Sequence, residues 1–593
     1  MSHVHSISSV ALASIVLYSS LRTRGIQLNF FFSWLVLVVP LLLSMTVFAH
    51  GPLLLSLLLC LPASVIVFLI PTRDLGTPLP STSAAVSEPV SHAANHFEPL
   101  PALTTYRAHM MLMTVLAILA VDFPIFPRTL VKCETFGVSL MDLGVGSFVF
   151  SQGVVSAIPI LKDMSYLTSP AVPKLLSVTR KSFPVIVLGV VRVLLVKATD
   201  YPEHVSEYGE HWNFFLTLAL LPVLQVALHP LILRSSITSL GIGVGIGHQL
   251  LLSYAHLQEY IFNAPRISWV SANKEGIISL TGYLSIHLLG LSIGTLILPP
   301  SPSWFRRMVK HTRDTLNKRI VTDVRLSING QPPSQIVPLS SPRQAGKTST
   351  ELCAYALLWS VLSGIVGLAK FGVNASNKES LGKGLGKGVS RRMVNLPYIL
   401  WVTAFNTCFL FAYFILDTIF YPSPRLSKRS SSSDKKTGPI FDRTHNRQAQ
   451  ATSPPLLDSI NKNGLALFLL ANVCTGLVNL SVHTIEASNI YALAILSIYT
   501  YGLCMAAWYL QNVIWKVAWC IGFASRAGPK IVIAIKTHFF ADDRINLVFG
   551  MQAHEISHPV FCRLLVWALD LNVFFDKYHQ PRRILPLIEP LII

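Results

Sequence analysis

The sequence predicts an all-α integral membrane protein, a polytopic helix bundle of about thirteen transmembrane helices. Composition is the first indication, because 52% of the 593 residues are hydrophobic and only 13% are charged, whereas about a quarter of the residues in a soluble domain are charged. The apolar residues also cluster into runs close to the roughly 20 residues that cross a hydrocarbon core. Backbone groups within lipid must form hydrogen bonds inside their own segment, so these runs are predicted to be helices.

Hydropathy places every predicted span within residues 1–512, which we interpret as one transmembrane domain. Residues 71–106, 299–350 and 421–462 are rich in Pro, Ser or charged side chains and are predicted to be flexible loops. Residues 513–593 form a C-terminal extension whose role the sequence does not indicate. The predicted spans are residues 8–21, 30–49, 51–70, 107–126, 138–160, 182–197, 213–233, 238–255, 277–298, 352–371, 396–420, 463–480 and 489–512.

The distribution of Lys and Arg over the loops predicts the orientation, because these side chains resist translocation. Loops after the odd-numbered spans hold more than twice as many Lys and Arg residues as loops after the even-numbered spans. We therefore expect the odd loops, including all three long ones, in the cytosol and the amino terminus in the lumen. Residues 372–395 are an exception to this distribution, because they place several basic residues on the predicted lumenal side.

The net charge of +19 does not indicate a nucleic-acid partner, because the charges lie in loops beside apolar spans and no nucleic-acid motif accompanies them. Topology and contact with membrane lipids that carry anionic headgroups account for them better. The eight cysteines are scattered, mostly within apolar runs, and are expected to be small buried side chains. The sequence therefore predicts neither a disulfide framework nor a metal centre.

Charged residues at the edge of the fourth span give the first candidate site. Asp122 ends a long apolar run, and Pro124 and Pro127 prevent a regular helix beyond it. A carboxylate close to cations can accept a proton, and the cations can hold an anionic headgroup or an oxyanion. A salt-bridged helix terminus is an equally weighted interpretation. The charged residues of this predicted lumenal cluster are Asp122, Arg128, Lys132 and Glu134.

A second candidate is Asp142, which lies inside the fifth predicted span. An ionisable side chain in a span usually has a partner or faces a cavity, so Asp142 is expected to pair with a cation across the bundle. Gly144 and Gly146 beside it are a weak phosphate-binding signal and more often serve close helix packing. The glycines at alternate positions of 241–247 also predict tight helix contact.

Two further patterns resemble metal sites without supporting one. Residues 200–213 are rich in His, Asp and Glu but lack a recognised ligand spacing, so substrate recognition or packing is the better interpretation. His554, Glu555 and His558 match a short zinc-protease signature, yet Pro559 follows at once and no third ligand is evident, which makes a chance match the preferred interpretation. The sequon at Asn374 predicts a lumenal glycosylation site.

Several ordered motifs resemble a known family, the GPI-anchored wall transfer proteins, which are the inositol acyltransferases of GPI biosynthesis, also called phosphatidylinositol-glycan class W. The resemblance runs from about residue 100 to residue 500. Its motifs are Ala120-Val-Asp-Phe-Pro-Ile-Phe-Pro-Arg128, Glu134-Thr135, residues 137–151, Glu203-His204, Glu207-Tyr-Gly209, His211-Trp-Asn-Phe-Phe215, Ser271-Ala-Asn-Lys-Glu-Gly276, Arg391-Arg392, Asn395-Leu-Pro-Tyr398, Asn463-Gly464, Leu470-Ala-Asn472 and Thr475-Gly-Leu-Val-Asn479.

This resemblance implies an endoplasmic-reticulum membrane enzyme that transfers a fatty acyl chain, typically palmitoyl, from acyl-CoA to the inositol 2-hydroxyl of glucosaminyl-phosphatidylinositol. Acyl-CoA is then a co-substrate, and no cofactor is expected. The resemblance makes Asp122 the general base and Lys132 the group that stabilises the thioester oxyanion. The residues assigned to substrate binding are Arg128, Glu134, Asp142, His211, Asn213, Asn273, Lys274 and Asn472.

The sequence departs from the family at both ends, and two other functions stay open. Members usually begin with a longer segment, so the sequence predicts a shortened amino terminus, and residues from about 513 onward match nothing in the family. A multi-spanning lipid or solute transporter is the main alternative, because polar residues at a broken helix also mark transport sites. An intramembrane zinc protease is the third, and it depends on the His554 motif.

Overall fold

The computed structural model describes residues 2–70, 99–198, 206–322, 343–368, 388–421 and 453–526, together with positions 339 and 341. All secondary structure in these ranges is helical. The chain divides into two compact units, Met1–Cys504 and Met505–Ile593. The sites described below lie in the first unit. The sequon at Asn374, residues 199–205 and the His554 motif fall outside the described residues.

The described ranges contain twenty-one α-helices. Two short 3-10 turns, Arg128–Leu130 and Thr484–Glu486, lie between them. The α-helices are α1 Ser2–Thr23, α2 Phe30–Leu37, α3 Val39–Met45, α4 Pro52–Leu69, α5 Pro101–Ala120, α6 Leu140–Val155, α7 Ala157–Lys162, α8 Ser165–Thr168, α9 Ala171–Ala198, α10 Phe214–Ala227, α11 His229–Arg234, α12 Ile237–Tyr254, α13 Leu257–Asn263, α14 Trp269–Ala272, α15 Lys274–Ile297, α16 Trp304–Thr322, α17 Ala345–Leu368, α18 Leu396–Phe420, α19 Pro455–Lys462, α20 Gly464–Ser481 and α21 Asn489–Arg526.

The predicted class, a polytopic helical membrane protein, is confirmed. Within the described ranges, nine helices are long and apolar enough to cross a membrane, and all nine coincide with predicted spans. Two further predicted spans, 30–49 and 213–233, correspond to the shorter apolar segments Phe30–Met45 and Phe214–Ala227. The remaining two correspond to α9 and α12.

Proline explains why three predicted spans differ from the observed helices. Pro40 and Pro230 lie in the first turns of α3 and α11, and each marks the break that divides one predicted span into two helices. The span predicted at 107–126 is instead α5, which begins with Pro101 and ends at Ala120, before Pro124. Its predicted position was therefore six residues too far along the chain.

Parts of the long segments predicted to be loops are helical. The described part of 71–106 includes the first turns of α5, α16 lies within 299–350, and α19 lies within 421–462. The sequence interpretation relied on hydropathy, which does not register a charged amphipathic helix such as α16. The helix repeat of its basic residues was the available signal.

Helix α15 lies at the centre of the bundle and packs closely on α6 through glycine. A Cβ atom added to Gly153 would overlap the backbone carbonyl of His287, and one added to Gly290 would overlap the carbonyl of Phe150. These contacts involve backbone, which cannot move aside as a flexible side chain can. Close approach through small residues is the usual way in which membrane helices gain packing contacts.

The predicted tight helix contact of the glycines in 241–247 is confirmed for two of the four. Gly241 faces Leu289 and Gly245 faces Ser285, both on α15, at distances too short for an additional Cβ atom. Gly243 and Gly247 face open space. Residues four apart share one face of a helix, so only alternate glycines of the run can contact the neighbour.

Replacing Gly153 with Ala is expected to lower the free energy of unfolding by about 1–3 kcal/mol, because the methyl group meets the rigid carbonyl of His287. The measurement is the melting temperature of the purified protein in detergent. Gly243→Ala is the matched control and should leave that temperature unchanged or slightly higher. Equal melting temperatures for Gly153→Ala and the control would contradict this description of the α6–α15 contact.

Candidate active site

A cavity of about 570 Å³ lies between α5, α6, α9, α10 and α20. Its wall is largely apolar, and its volume lies within the range of typical ligand sites. Lys132, Glu207, Tyr208, Arg192 and Asn472 are the main polar residues of the lining. The apolar lining includes Met110, Met113, Ala117, Ile118, Leu140, Met141, Leu143, Val145, Phe148, Leu188, Val191, Phe214, Phe215, Phe468, Leu469 and Val473.

Lys132 is held at the edge of this cavity by an ion pair with Glu207. Its Nζ atom donates to Glu207 Oε1 at 2.9 Å and to Oε2 at 3.1 Å. The lysine side chain is 38% exposed, so the ammonium group retains access to a ligand. An ammonium group has three donors, and this pairing leaves it able to bind a further oxygen.

Glu207 also connects Lys132 to a buried cation. Arg391 Nη2 lies 3.7 Å from Glu207 Oε1, and Arg391 Nε donates to Asp142 Oδ1 at 2.7 Å. The Arg391 side chain is only 4% exposed. Two carboxylates and two cations therefore alternate from the cavity edge into the protein. We call Lys132, Glu207, Arg391 and Asp142 the charge network.

Asp142 occupies the protected end of this network, at the start of α6. Its second carboxylate oxygen accepts hydrogen bonds from Ser139 Oγ at 2.7 Å and from the backbone N–H of Cys133 at 3.0 Å. The hydroxyl of Tyr398 donates to its backbone carbonyl. The predicted cation partner across the bundle is therefore Arg391. These contacts fix α6, α18 and the loop before α6 relative to one another, while a role for Asp142 in substrate binding stays a prediction.

Asp122 lies in the turn after α5 and pairs with a different helix. Its Oδ2 atom accepts a hydrogen bond from Asn479 Nδ2 at 2.9 Å. Burial raises the pKa of the Asp122 carboxyl above the usual value for aspartate, although the Asn479 hydrogen bond and the nearby Arg128 guanidinium oppose that rise. A raised pKa makes the carboxylate a better proton acceptor.

Asp122 and Lys132 lie on the same loop, between α5 and α6, but they have different partners. Ile118, in the last turn of α5, and Leu140, in the first turn of α6, both line the cavity. The loop therefore lies at the cavity edge. Asp122 itself does not line the cavity. Its hydrogen-bond partner Asn479 lies on α20, two helical turns after Asn472, which does line the cavity.

A second cluster of buried charge adjoins the first in sequence. Glu275, whose side chain is fully buried, accepts from Arg266 Nη2 at 2.6 Å and from Arg392 Nη2 at 2.7 Å. Arg392 also lies over the ring of Phe262. Arg391 and Arg392 are adjacent, so one short segment supplies a cation to each of the two clusters.

Asparagine side chains in and beside the loop before α10 form hydrogen bonds with backbone groups. His211 donates its backbone N–H to Asn273 Oδ1, and Asn273 Nδ2 donates to the carbonyl of Trp269. Asn213 caps α10 through Leu216 N–H and donates from Nδ2 to the carbonyl of Gly189. These hydrogen bonds give His211, Asn213 and Asn273 a structural role, while their roles in substrate binding stay predictions.

The other predicted binding residues are in three different environments. Lys274 is buried, and its Nζ atom donates to the carbonyls of Tyr260 and Ala264. Arg128 is exposed and donates to the carbonyl of Val121. Glu134 is exposed and makes no hydrogen bond or ion pair with the residues that the structure describes. Their proposed contacts with substrate stay predictions.

Several residues of the site carry no predicted role. Glu207 and Arg391 occur in the family motifs, which do not indicate what either residue does. Arg192 lies within the predicted span 182–197, and an arginine in a span is itself a signal of a functional site. The pairing of Asp122 with Asn479 carried no sequence signal. Among the described residues, no group of three His, Cys, Asp or Glu side chains is close enough to hold a metal ion.

The sequence is similar to a known protein family over most of its length. The GWT1 family model matches residues 1–510. Three relatives named GPI-anchored wall transfer protein 1 are those of Aspergillus oryzae, 39% identical over 84% of this chain and 91% of the relative, Gibberella zeae, 37% identical over 85% and 92%, and Saccharomyces cerevisiae, 33% identical over 84% and 92%. The family resemblance stated above is confirmed.

Replacing Arg391 with Leu is expected to lower the free energy of unfolding by about 3–5 kcal/mol, because the buried carboxylate of Asp142 loses its cation. The measurement is thermal unfolding in detergent, and replacing Asp142 with Leu as well should recover part of the loss. Lys462→Gln, which breaks a partly exposed pair with Asp458, serves as the control and should cost less than about 1 kcal/mol. An Arg391→Leu protein as stable as the control would show that the network is not structural.

Proposed function

The chain belongs to the GWT1 family, and from that premise we propose that it is an acyl-CoA-dependent O-acyltransferase of GPI-anchor biosynthesis. The reaction transfers a palmitoyl or similar chain to the inositol 2-hydroxyl of glucosaminyl-phosphatidylinositol in the endoplasmic-reticulum membrane. The observation that carries the proposal is the apolar cavity of about 570 Å³ with an accessible ammonium group at its edge. An acyl chain fits the apolar wall, and its thioester then lies beside Lys132.

Acyl transfer requires a base and a group that stabilises negative charge. In the proposed step the inositol oxygen attacks the thioester carbonyl, a new C–O bond forms, and the C–S bond breaks. Asp122 accepts the hydroxyl proton, and the departing CoA thiolate takes up a proton. The ammonium group of Lys132 stabilises the oxyanion between these events. The raised pKa of Asp122 supports the role of base.

The charge network supplies the positioning that this step needs. Glu207 fixes the ammonium group of Lys132, and Arg391 and Asp142 fix Glu207 from the buried side. Glu207 is therefore a positioning residue in this proposal. Arg128 is exposed on the same loop as Asp122, and its guanidinium group suits the phosphate of the glycolipid headgroup.

The experiment measures CoA release and inositol acylation in membranes that contain the chain, palmitoyl-CoA and glucosaminyl-phosphatidylinositol. Asp122→Asn and Lys132→Ala are each expected to lower turnover by about 10²–10⁴-fold, because one removes the base and the other the oxyanion partner. The matched controls are Asp163→Asn and Lys162→Ala, which change exposed residues at the far end of the α6–α7 segment. Those controls should keep wild-type turnover.

Other outcomes would contradict the proposal. Turnover that survives in Asp122→Asn would exclude that carboxylate as the base. Wild-type membranes that release no CoA, yet move the glycolipid or a solute across the bilayer, would favour the transporter interpretation instead.

The pH dependence of turnover tests the environment of Asp122. The base must be ionised, so turnover should fall as the pH falls through the pKa of Asp122. Asn479 and Arg128 both lower that pKa, so Asn479→Leu and Arg128→Gln should each move the acid limb of the rate profile to higher pH. Arg180→Gln removes an exposed arginine elsewhere and should leave the limb in place. An acid limb that moves to lower pH in Asn479→Leu would contradict the assignment.

A further inference from the structure

A second cavity, also of about 570 Å³, lies at the other end of α15 from the charge network. It shares no lining residue with the apolar cavity. Thr295 lies in its wall, 21 residues after Lys274, which begins α15 near Glu275. At 1.5 Å per residue the two ends are about 30 Å apart, which is the thickness of a bilayer hydrocarbon core.

Cations from two separate segments converge on this cavity. Arg306, Lys310 and Arg313 are spaced at three and four residues along α16, so they share one face of that helix. Arg234, at the end of α11, faces the same cavity from another direction. Arg306 pairs with Glu351 at 2.6 Å. The other three basic side chains are exposed and have no ion partner among the described residues.

Hydroxyl groups and a helix amino terminus complete the polar wall. Ser236 caps α12 by accepting from the N–H of Ser239, and Thr238 and Ser292 share a hydrogen bond of 2.6 Å. The first turn of α12 lines the cavity, so its positive dipole end adds to the field of Arg234, Lys310 and Arg313. A wall of this composition favours an anion with several oxygen atoms.

The remaining wall is apolar and points to the source of that anion. Leu296, Phe305 and Leu358 line the cavity, and Leu358 is itself exposed, as is the nearby Leu231. A soluble phosphate compound without an apolar chain would make no favourable contact with these apolar side chains. A phospholipid has its phosphate beside its acyl chains and matches both parts of the wall.

We propose that this cavity binds the phosphate headgroup of an anionic phospholipid, at the end of the bundle where the distribution of Lys and Arg predicts the cytosol. The inference does not depend on the acyltransferase reaction. Basic residues near a membrane surface each add to the attraction for anionic lipid. A lipid held by α11, α12 and α16 joins the α11–α12 segment to α16, which begins later in the sequence at Trp304.

The experiment uses the purified full chain in nanodiscs of phosphatidylcholine, to which phosphatidylinositol is added, with bound lipid counted by native mass spectrometry. The triple variant Arg234→Gln/Lys310→Gln/Arg313→Gln should weaken phosphatidylinositol binding by roughly tenfold to a hundredfold. Arg307→Gln is the matched control, because Arg307 is on α16, donates to Ser301 Oγ and does not line the cavity. It should bind as the wild type does.

A soluble arm separates the lipid from other phosphates. Inorganic phosphate and ADP should fail to compete with the lipid for the site. Added salt should lower the affinity for phosphatidylinositol, because it screens the charges. Unchanged lipid binding by the triple variant would overturn the proposal, as would competition by ADP at equal concentration. Melting temperature in phosphatidylcholine alone should be the same for the triple variant and the wild type, which separates loss of binding from loss of fold.

Discussion

The arrangement of the candidate site depends on the buried ion pair between Asp142 and Arg391. These residues are 249 positions apart, and the pair ties the start of α6 to the segment before α18. Both charges are removed from water, so neither can be lost without leaving the other uncompensated. Arg391 also faces Glu207, and Glu207 holds Lys132. The position of an accessible ammonium group at the cavity edge thus follows from an ion pair deep in the protein.

Because of this ion pair, the two parts of the cavity lining differ in polarity. One end of its lining is charged and anchored by the network, while the rest of the wall is built from aliphatic, aromatic and methionine side chains. A ligand with a long apolar chain and one polar group therefore matches this lining best with its polar group beside Lys132. Asp122, on the same loop as Lys132, is held by a separate contact with α20, so its carboxylate and the ammonium group of Lys132 are fixed by different parts of the bundle.

Sequence analysis could predict the class of fold and the charged segment, and it could not predict the partners. Hydropathy is a local property, and every predicted span corresponds to helical structure, although Pro40 and Pro230 divide two spans and Ser156 separates α6 from α7 within a third. Asp142 was expected to have a cation, but which of the many arginines it meets depends on how α6 and α18 pack. Lys132 was grouped with Asp122 because they are close in sequence, whereas its partner Glu207 is 75 residues away. Helix α16 was missed because its pattern is one of charge and not of hydropathy.

The claim that the apolar cavity holds the acyl chain is tested most directly by reducing its volume. Gly144 lines the cavity, and an added Cβ atom would meet only Thr114 Oγ1, at 3.8 Å, so Gly144→Leu fills space without displacing backbone. The measurement is the ratio of kcat/KM for palmitoyl-CoA to that for octanoyl-CoA, with Gly243→Leu, which faces open space, as the control. We predict that the ratio falls by about tenfold or more in Gly144→Leu alone. An unchanged ratio, with turnover retained, would contradict the placement of the acyl chain in this cavity.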